Sequence, residues 1–132
     1  MRLAPVIPLC ALAVALTACA SAPSTRALEQ ADYGPPPGGA LQGSIRAAFQ
    51  GLLLEPGSAE FRFAEPEQGW GRGDDGFAYG WVVWTDVNSK NRFGAFTGWQ
   101  SYKVLTQGDE VHSIYVPKGK DLFGNPKFEQ VR

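Results

Sequence analysis

Few side chains in this 132-residue chain are of types that do chemistry, and their spacing assembles no catalytic set. The one histidine, His112, would serve as a general base only beside a nucleophile, and no G-x-S-x-G turn supplies an activated serine. As a metal ligand it has neither a second histidine nor a spare thiolate to join it, so it reads as an ordinary strand histidine. Asp74, Asp86 and Glu110 are acids of the kind that pair across a cleft in hydrolysis, but their spacing selects no pair. Asp74-Asp75-Gly76 is not followed by the series of oxygen ligands that calcium needs. The glycine-rich run GWGRGDDG (69–76) lacks the lysine and following helix of a phosphate loop, and reads as a hairpin connection. Of the four tryptophans, Trp81 and Trp84 sit inside an apolar run, whereas Trp70 and Trp99 flank loops. Tryptophans in a small domain are first of all core builders. Trp70 and Trp99, near Asn91 and Lys90, are the two placed to stack on a sugar ring or on a partner. No cofactor and no metal are expected.

The other reactive side chain is a thiol. Residues 1–18 begin with Arg2 and continue as an almost wholly apolar run, too short for a spanning helix and followed by small residues. That is the layout of a secretory signal. Of the two cysteines, Cys10 leaves with the signal and Cys19 follows it directly, so the mature chain has no internal disulfide and no thiolate-zinc site. Without Arg2 the mature chain carries 11 basic against 13 acidic residues, a formal charge of −2. That balance excludes nucleic acid as the expected partner and argues against a purely electrostatic membrane attachment.

The elements that must position any site follow in order. Residues 19–39 turn to Ala, Ser, Pro and Gly and read as a tether, with one short helical turn over 26–32. Residues 40–54 place Leu41, Ile45, Ala48 or Phe49, and Leu52 at helical spacing, with Pro56-Gly57 as the stop. Strands are expected over 60–64, 77–87, 99–106 and 110–116, the last two joined by a tight turn at Gln107-Gly108-Asp109. The strand over 77–87 is apolar on both faces and so should lie centrally, covered on both sides. Residues 118–132 are basic, broken by glycine and weakly patterned, a tail of which Leu122, Phe123 and Phe128 are the candidates to dock.

Two resemblances add to this reading. Leu16-Thr17-Ala18-Cys19 resembles the lipobox of bacterial lipoproteins, which implies acylation of Cys19 and cleavage before it. EPGSAEFRF (55–63) is similar to the D-P-x-S-A-x-F-R segment of a group of small bacterial secreted or lipid-anchored proteins. VNSKNRFGAFTG (87–98) resembles the V-N-A-K-N-S-F/Y-G-G-Y-T-G segment of the same group, with Ser89, Arg92, Ala95 and Phe96 departing from it. The likeness covers residues 40–115 and implies a shared compact domain, and no activity comes with it.

The resulting expectation is an α+β domain over 40–117, one N-terminal helix packed on a mainly antiparallel four-stranded sheet. Cys19 holds it to the membrane, and Ala20 after the cysteine points to the outer membrane, facing the periplasm. Its task is expected to be non-enzymatic, contact with an envelope protein, with a glycan as the alternative partner. Lys90, Asn91, Arg92, Trp70 and Trp99 form the candidate contact surface, with Asn88, Gly94 and Gly98 shaping the loop that carries it.

Overall fold

The computed structural model describes residues 22–120, 122, 124 and 126–132. The signal, Cys19 and Phe123 lie outside the described residues. The elements are helix α1 (Thr25–Gln30), helix α2 (Leu41–Phe49), a single 3-10 turn (Pro56–Ser58) and six strands. These are β1 (Glu60–Phe63), β2 (Glu67–Gly73), β3 (Gly76–Lys90), β4 (Phe96–Gln107), β5 (Glu110–Lys120) and β6 (Pro126–Gln130). All pairings are antiparallel, in the order β1-β3-β4-β5-β6, with β2 also paired to β3. The architecture is α+β, with a sheet of six strands rather than the four that hydrophobic patterning selects.

The two strands that patterning misses fail to alternate for different reasons. β2 is the glycine-rich run expected as a loop. Its glycines lie where another group approaches. A Cβ at Gly69 would stand 2.6 Å from a Val82 methyl, and one at Gly71 would stand 2.4 Å from the Tyr115 hydroxyl. Gly69 pairs with Gly80 and Gly71 with Ala78, so β2 lies beside β3 as a strand of the same sheet. Only Asp74 and Asp75 form the turn between the paired Gly73 and Gly76. β6 falls in the basic tail and is exposed along its whole length, so it carries no apolar stripe to read. Its partner β5 runs on through Pro117. Proline is tolerated there because β5 pairs with β4 only as far as Tyr115, and beyond it with β6 alone.

β3 is the spine. One end pairs with β1, the other with β2, and its whole inner length with β4. Its two faces feed two apolar clusters. Val83 and Val87 join Val104, Ile114 and the buried stripe Leu41, Ile45, Ala48 and Phe49 of α2. Val82 on the other face joins Leu105 and Tyr115. Phe49 is wholly buried, edge-on to Phe61 at 5.7 Å and to Tyr102 at 4.9 Å between centroids. α2 has no side-chain N-cap, and its far end is held from the C-terminus, where Arg132 Nη1 donates to the Ala48 carbonyl at 2.9 Å. That bond fills one of the carbonyls a helix end leaves open.

The residues expected as a tether lie against the domain from Ala22 onward. Ser24 caps α1 by accepting from the Ala27 amide, Tyr33 meets Tyr79 edge-on, and Trp81 Nε1 donates to the Gly34 carbonyl at 3.3 Å. The Gly38 amide donates to Asp109 in the β4–β5 turn. These contacts use aromatic and backbone groups, which a reading by composition passes over.

Candidate functional site

Two regions carry exposed or polar chemistry. The first is the tip of the β3–β4 hairpin, the product of the two longest strands. A register shift between Asn88 and Lys90 loosens the ladder there. Two asparagines then hold the loop. Asn88 Oδ1 accepts from the Gly98 amide at 3.1 Å, and Asn91 Oδ1 accepts from the amides of Phe93 at 2.9 Å and Ala95 at 3.2 Å. The Asn91 amide donates to the Ala95 carbonyl, and the Gly94 amide to that of Asn91. Gly94 and Gly98 have φ of 77° and 95° with open space beside them, so the turn conformation, not crowding, calls for glycine.

The clasp presents aromatic and cationic side chains. Phe93 is 83% exposed and Phe96 45%. The Arg92 guanidinium lies 5.7 Å from the Phe93 ring centre, and Lys90 Nζ lies 5.3 Å from that of Phe96. Trp99, opposite Asn88 in the register, is itself exposed, with the Arg62 guanidinium 3.8 Å over its ring. Lys90, Asn91, Arg92 and Trp99 thus belong to one end of the molecule. The carbonyl oxygen of Asn91 is spent inside the loop rather than offered outward.

Trp70 does not join them. It pairs with Tyr79 near the other end of β3, about 30 Å along the strand from Asn88 at roughly 3.3 Å per residue. There it helps line the second region, a cavity of about 650 Å³ between β2, β5 and β6. Trp70, Tyr115, Phe128, Pro126, Gly71 and Ala22 supply its apolar wall; Arg72, Lys103, Lys118, Lys127 and Glu129 supply the charge. Lys103 Nζ stands 4.6 Å from the Trp70 ring centre and 5.2 Å from that of Phe128, and Trp84 lies against Phe128. Burial lowers the Lys103 pKa from the ordinary lysine value. The Tyr115 hydroxyl is buried without a hydrogen-bond partner.

Lys103, Tyr115, Gly71 and Phe128 were not legible as a set. Lys103 stands between Tyr102 and Val104 in β4, and a cation between two large apolar side chains is one signal in the sequence. The G-x-G alternation of Gly69 and Gly71 was the other hint, and it was masked by the turn chemistry of the same run.

The remaining candidates have ordinary roles. His112 Nδ1 and Ser113 Oγ are 2.8 Å apart, but Ser113 is buried and shared with Gln130, so no substrate reaches its oxygen. Asp86 accepts from Ser101 across the β3–β4 pair. Among the described residues no group of three His, Cys, Asp or Glu could hold a metal, and no helix is long and apolar enough to cross a membrane. Compared with protein-family models, curated proteins and solved structures, the chain matches none.

Proposed function

We propose that this chain is a lipid-anchored lipoprotein of the cell envelope, held at the outer membrane by acylated Cys19 and acting without catalysis as an interaction module toward another envelope protein. The lipobox-like Leu16-Thr17-Ala18-Cys19 supports the anchor. The single observation that supports the interaction role is Phe93, 83% exposed beside Arg92 on a clasped hairpin. An exposed aromatic ring on a hydrogen-bonded loop beside a guanidinium is the composition of an interface anchor, where rings and guanidinium groups carry most of the binding energy. The order of the loop limits the entropy lost on docking.

Crosslinking in intact cells tests this reading. A partner adduct should form with the wild-type chain and disappear with Phe93→Ser, while the melting temperature stays the same because the ring packs against nothing that holds the fold. An adduct that survives Phe93→Ser removes the hairpin tip from the interface. The glycan alternative draws on Trp99 and Trp70, yet the first lies under Arg62 and the second beside Lys103. Retention on purified peptidoglycan that is lost with Trp99→Ala would favour it over the protein partner.

A further inference from the structure

The cavity between β2, β5 and β6 lies at the far end of β3 from the hairpin tip and is untouched by the interaction role. Its lining joins two kinds of chemistry. One wall is aromatic and apolar, from Trp70, Tyr115 and Phe128, and its volume of about 650 Å³ falls within the range of small-molecule sites. The charged groups are four cations and one carboxylate, and that carboxylate, Glu129, is already bridged to Lys118 at 3.0 Å. Lys103 is half-buried between two rings and has no carboxylate partner among the described residues. Cation–π contacts offset part of the cost of drawing an ammonium out of water, and an anion would offset more. Tyr115 is 3% exposed and its hydroxyl has no partner, an arrangement that native interiors seldom leave. Gly71 lies directly over that hydroxyl, where any side chain would collide with it.

We propose that this cavity binds a single-chain amphiphile with an anionic head: an acyl chain along Trp70, Tyr115 and Phe128, and a carboxylate or phosphate head held by Lys103 with Lys127 at the rim. The two parts of the lining select the two parts of the ligand. A small anion would leave the aromatic wall wet, and a neutral hydrocarbon would leave Lys103 unpaired in a drier site. An anionic amphiphile satisfies both. The proposal is independent of the hairpin reading, since the two regions share no residue.

The test uses the full chain in isolated membranes, illuminated with diazirine analogues of palmitate, of a lysophospholipid with a phosphate head, and of hexadecanol. The palmitate and lysophospholipid arms distinguish a free fatty acid from a lipid-derived source, and hexadecanol lacks the anion. The anionic probes should label the peptides containing Trp70, Tyr115 or Phe128 at least tenfold more than hexadecanol does. Unlabelled palmitate should compete, and inorganic phosphate should not. Lys103→Met should cut labelling about tenfold. Lys127→Glu, an exposed change that leaves packing intact, should cut it severalfold with an unchanged melting temperature. Tyr115→Phe should weaken labelling while the unliganded chain melts higher, because it deletes an unpaired buried hydroxyl. Equal labelling by hexadecanol, labelling indifferent to both lysine changes, or labelling outside these peptides would overturn the proposal. Labelling seen only when Cys19→Ser removes the chain's own acyl group would overturn it as well, by assigning the cavity to the anchor.

Discussion

Asn88 and Asn91 are neighbours in sequence with unequal work. Asn91 satisfies two amides inside the hairpin tip and Asn88 one across it. Asn91→Ala should therefore cost about 1–2 kcal/mol and Asn88→Ala about 0.5–1.5 kcal/mol, since each lost bond is partly replaced by water at this exposed site. The Lys90→Ala, Arg92→Ala double change should move stability little, because both cations lie over exposed rings. Urea titration of the variants checks this order; a double mutant less stable than Asn91→Ala would reverse it. Lys103 makes a separate prediction through pH. Its folded pKa is lowered by burial, so between that value and the ordinary lysine value the unfolded chain holds a proton that the folded chain has released. Stability therefore rises with pH across that window. Tyr102 has the opposite sign: burial raises its pKa, the folded chain keeps a proton that the unfolded chain has lost, and stability falls above the ordinary tyrosine value. Urea midpoints from about pH 8 to about pH 11 should show the rise abolished by Lys103→Met and the fall abolished by Tyr102→Phe.

At the scale of elements, α2 is short and has no side-chain N-cap, so packing keeps it helical. Phe49 is the centre of that packing, wholly buried and edge-on to Phe61 and Tyr102. Phe49→Ala should destabilise the domain by about 3–5 kcal/mol, read as a lowered urea midpoint with the slope unchanged. A midpoint that does not move would place the ring outside the cooperative core. The cost has a second source. Arg46 lies over the rings of Phe61 and Phe63, and Arg132 reaches the Ala48 carbonyl, so a shift of α2 loosens contacts with β1 and with the C-terminal residue. Arg132, two residues beyond β6, and α2 are linked in this way although they are far apart in sequence.

For the whole molecule, the decisive feature is that both faces of β3 are covered. α2 closes one face, and on the other Leu28 and Tyr33 line a recess with Val82 and Trp84. Under the proposed anchor, the ties of Gly34 to Trp81 and of Gly38 to Asp109 leave less chain to span from membrane to domain than the composition of 19–39 implies. Two or three acyl chains on Cys19, at about 0.8 kcal/mol per buried methylene, would keep such a domain at the bilayer surface. Cys19→Ser should move the chain from the membrane pellet to an uncleaved or soluble form in a detergent-free wash. Unchanged fractionation would remove the anchor. A density gradient separating the two membranes checks the outer-membrane placement.

Local patterning determined what depends on neighbours in sequence. The stripe Leu41, Ile45 and Phe49 marks a helix, the double-sided apolar run over 77–87 marks a central strand, and Gly108 with Asp109 marks the turn of a hairpin. Asn88, Gly94 and Gly98 announce a shaped loop because their backbone preferences are intrinsic. Tertiary structure alone decided the rest. β2 is a strand because its glycines allow close approach to Val82 and Tyr115, and β6 is one because β5 offers it an open edge. Both depend on partners distant in the chain, and neither leaves a periodic signal. The cavity is the same case at larger scale: Trp70, Lys103, Tyr115 and Phe128 come from four different strands, and only the register that stacks those strands makes them neighbours.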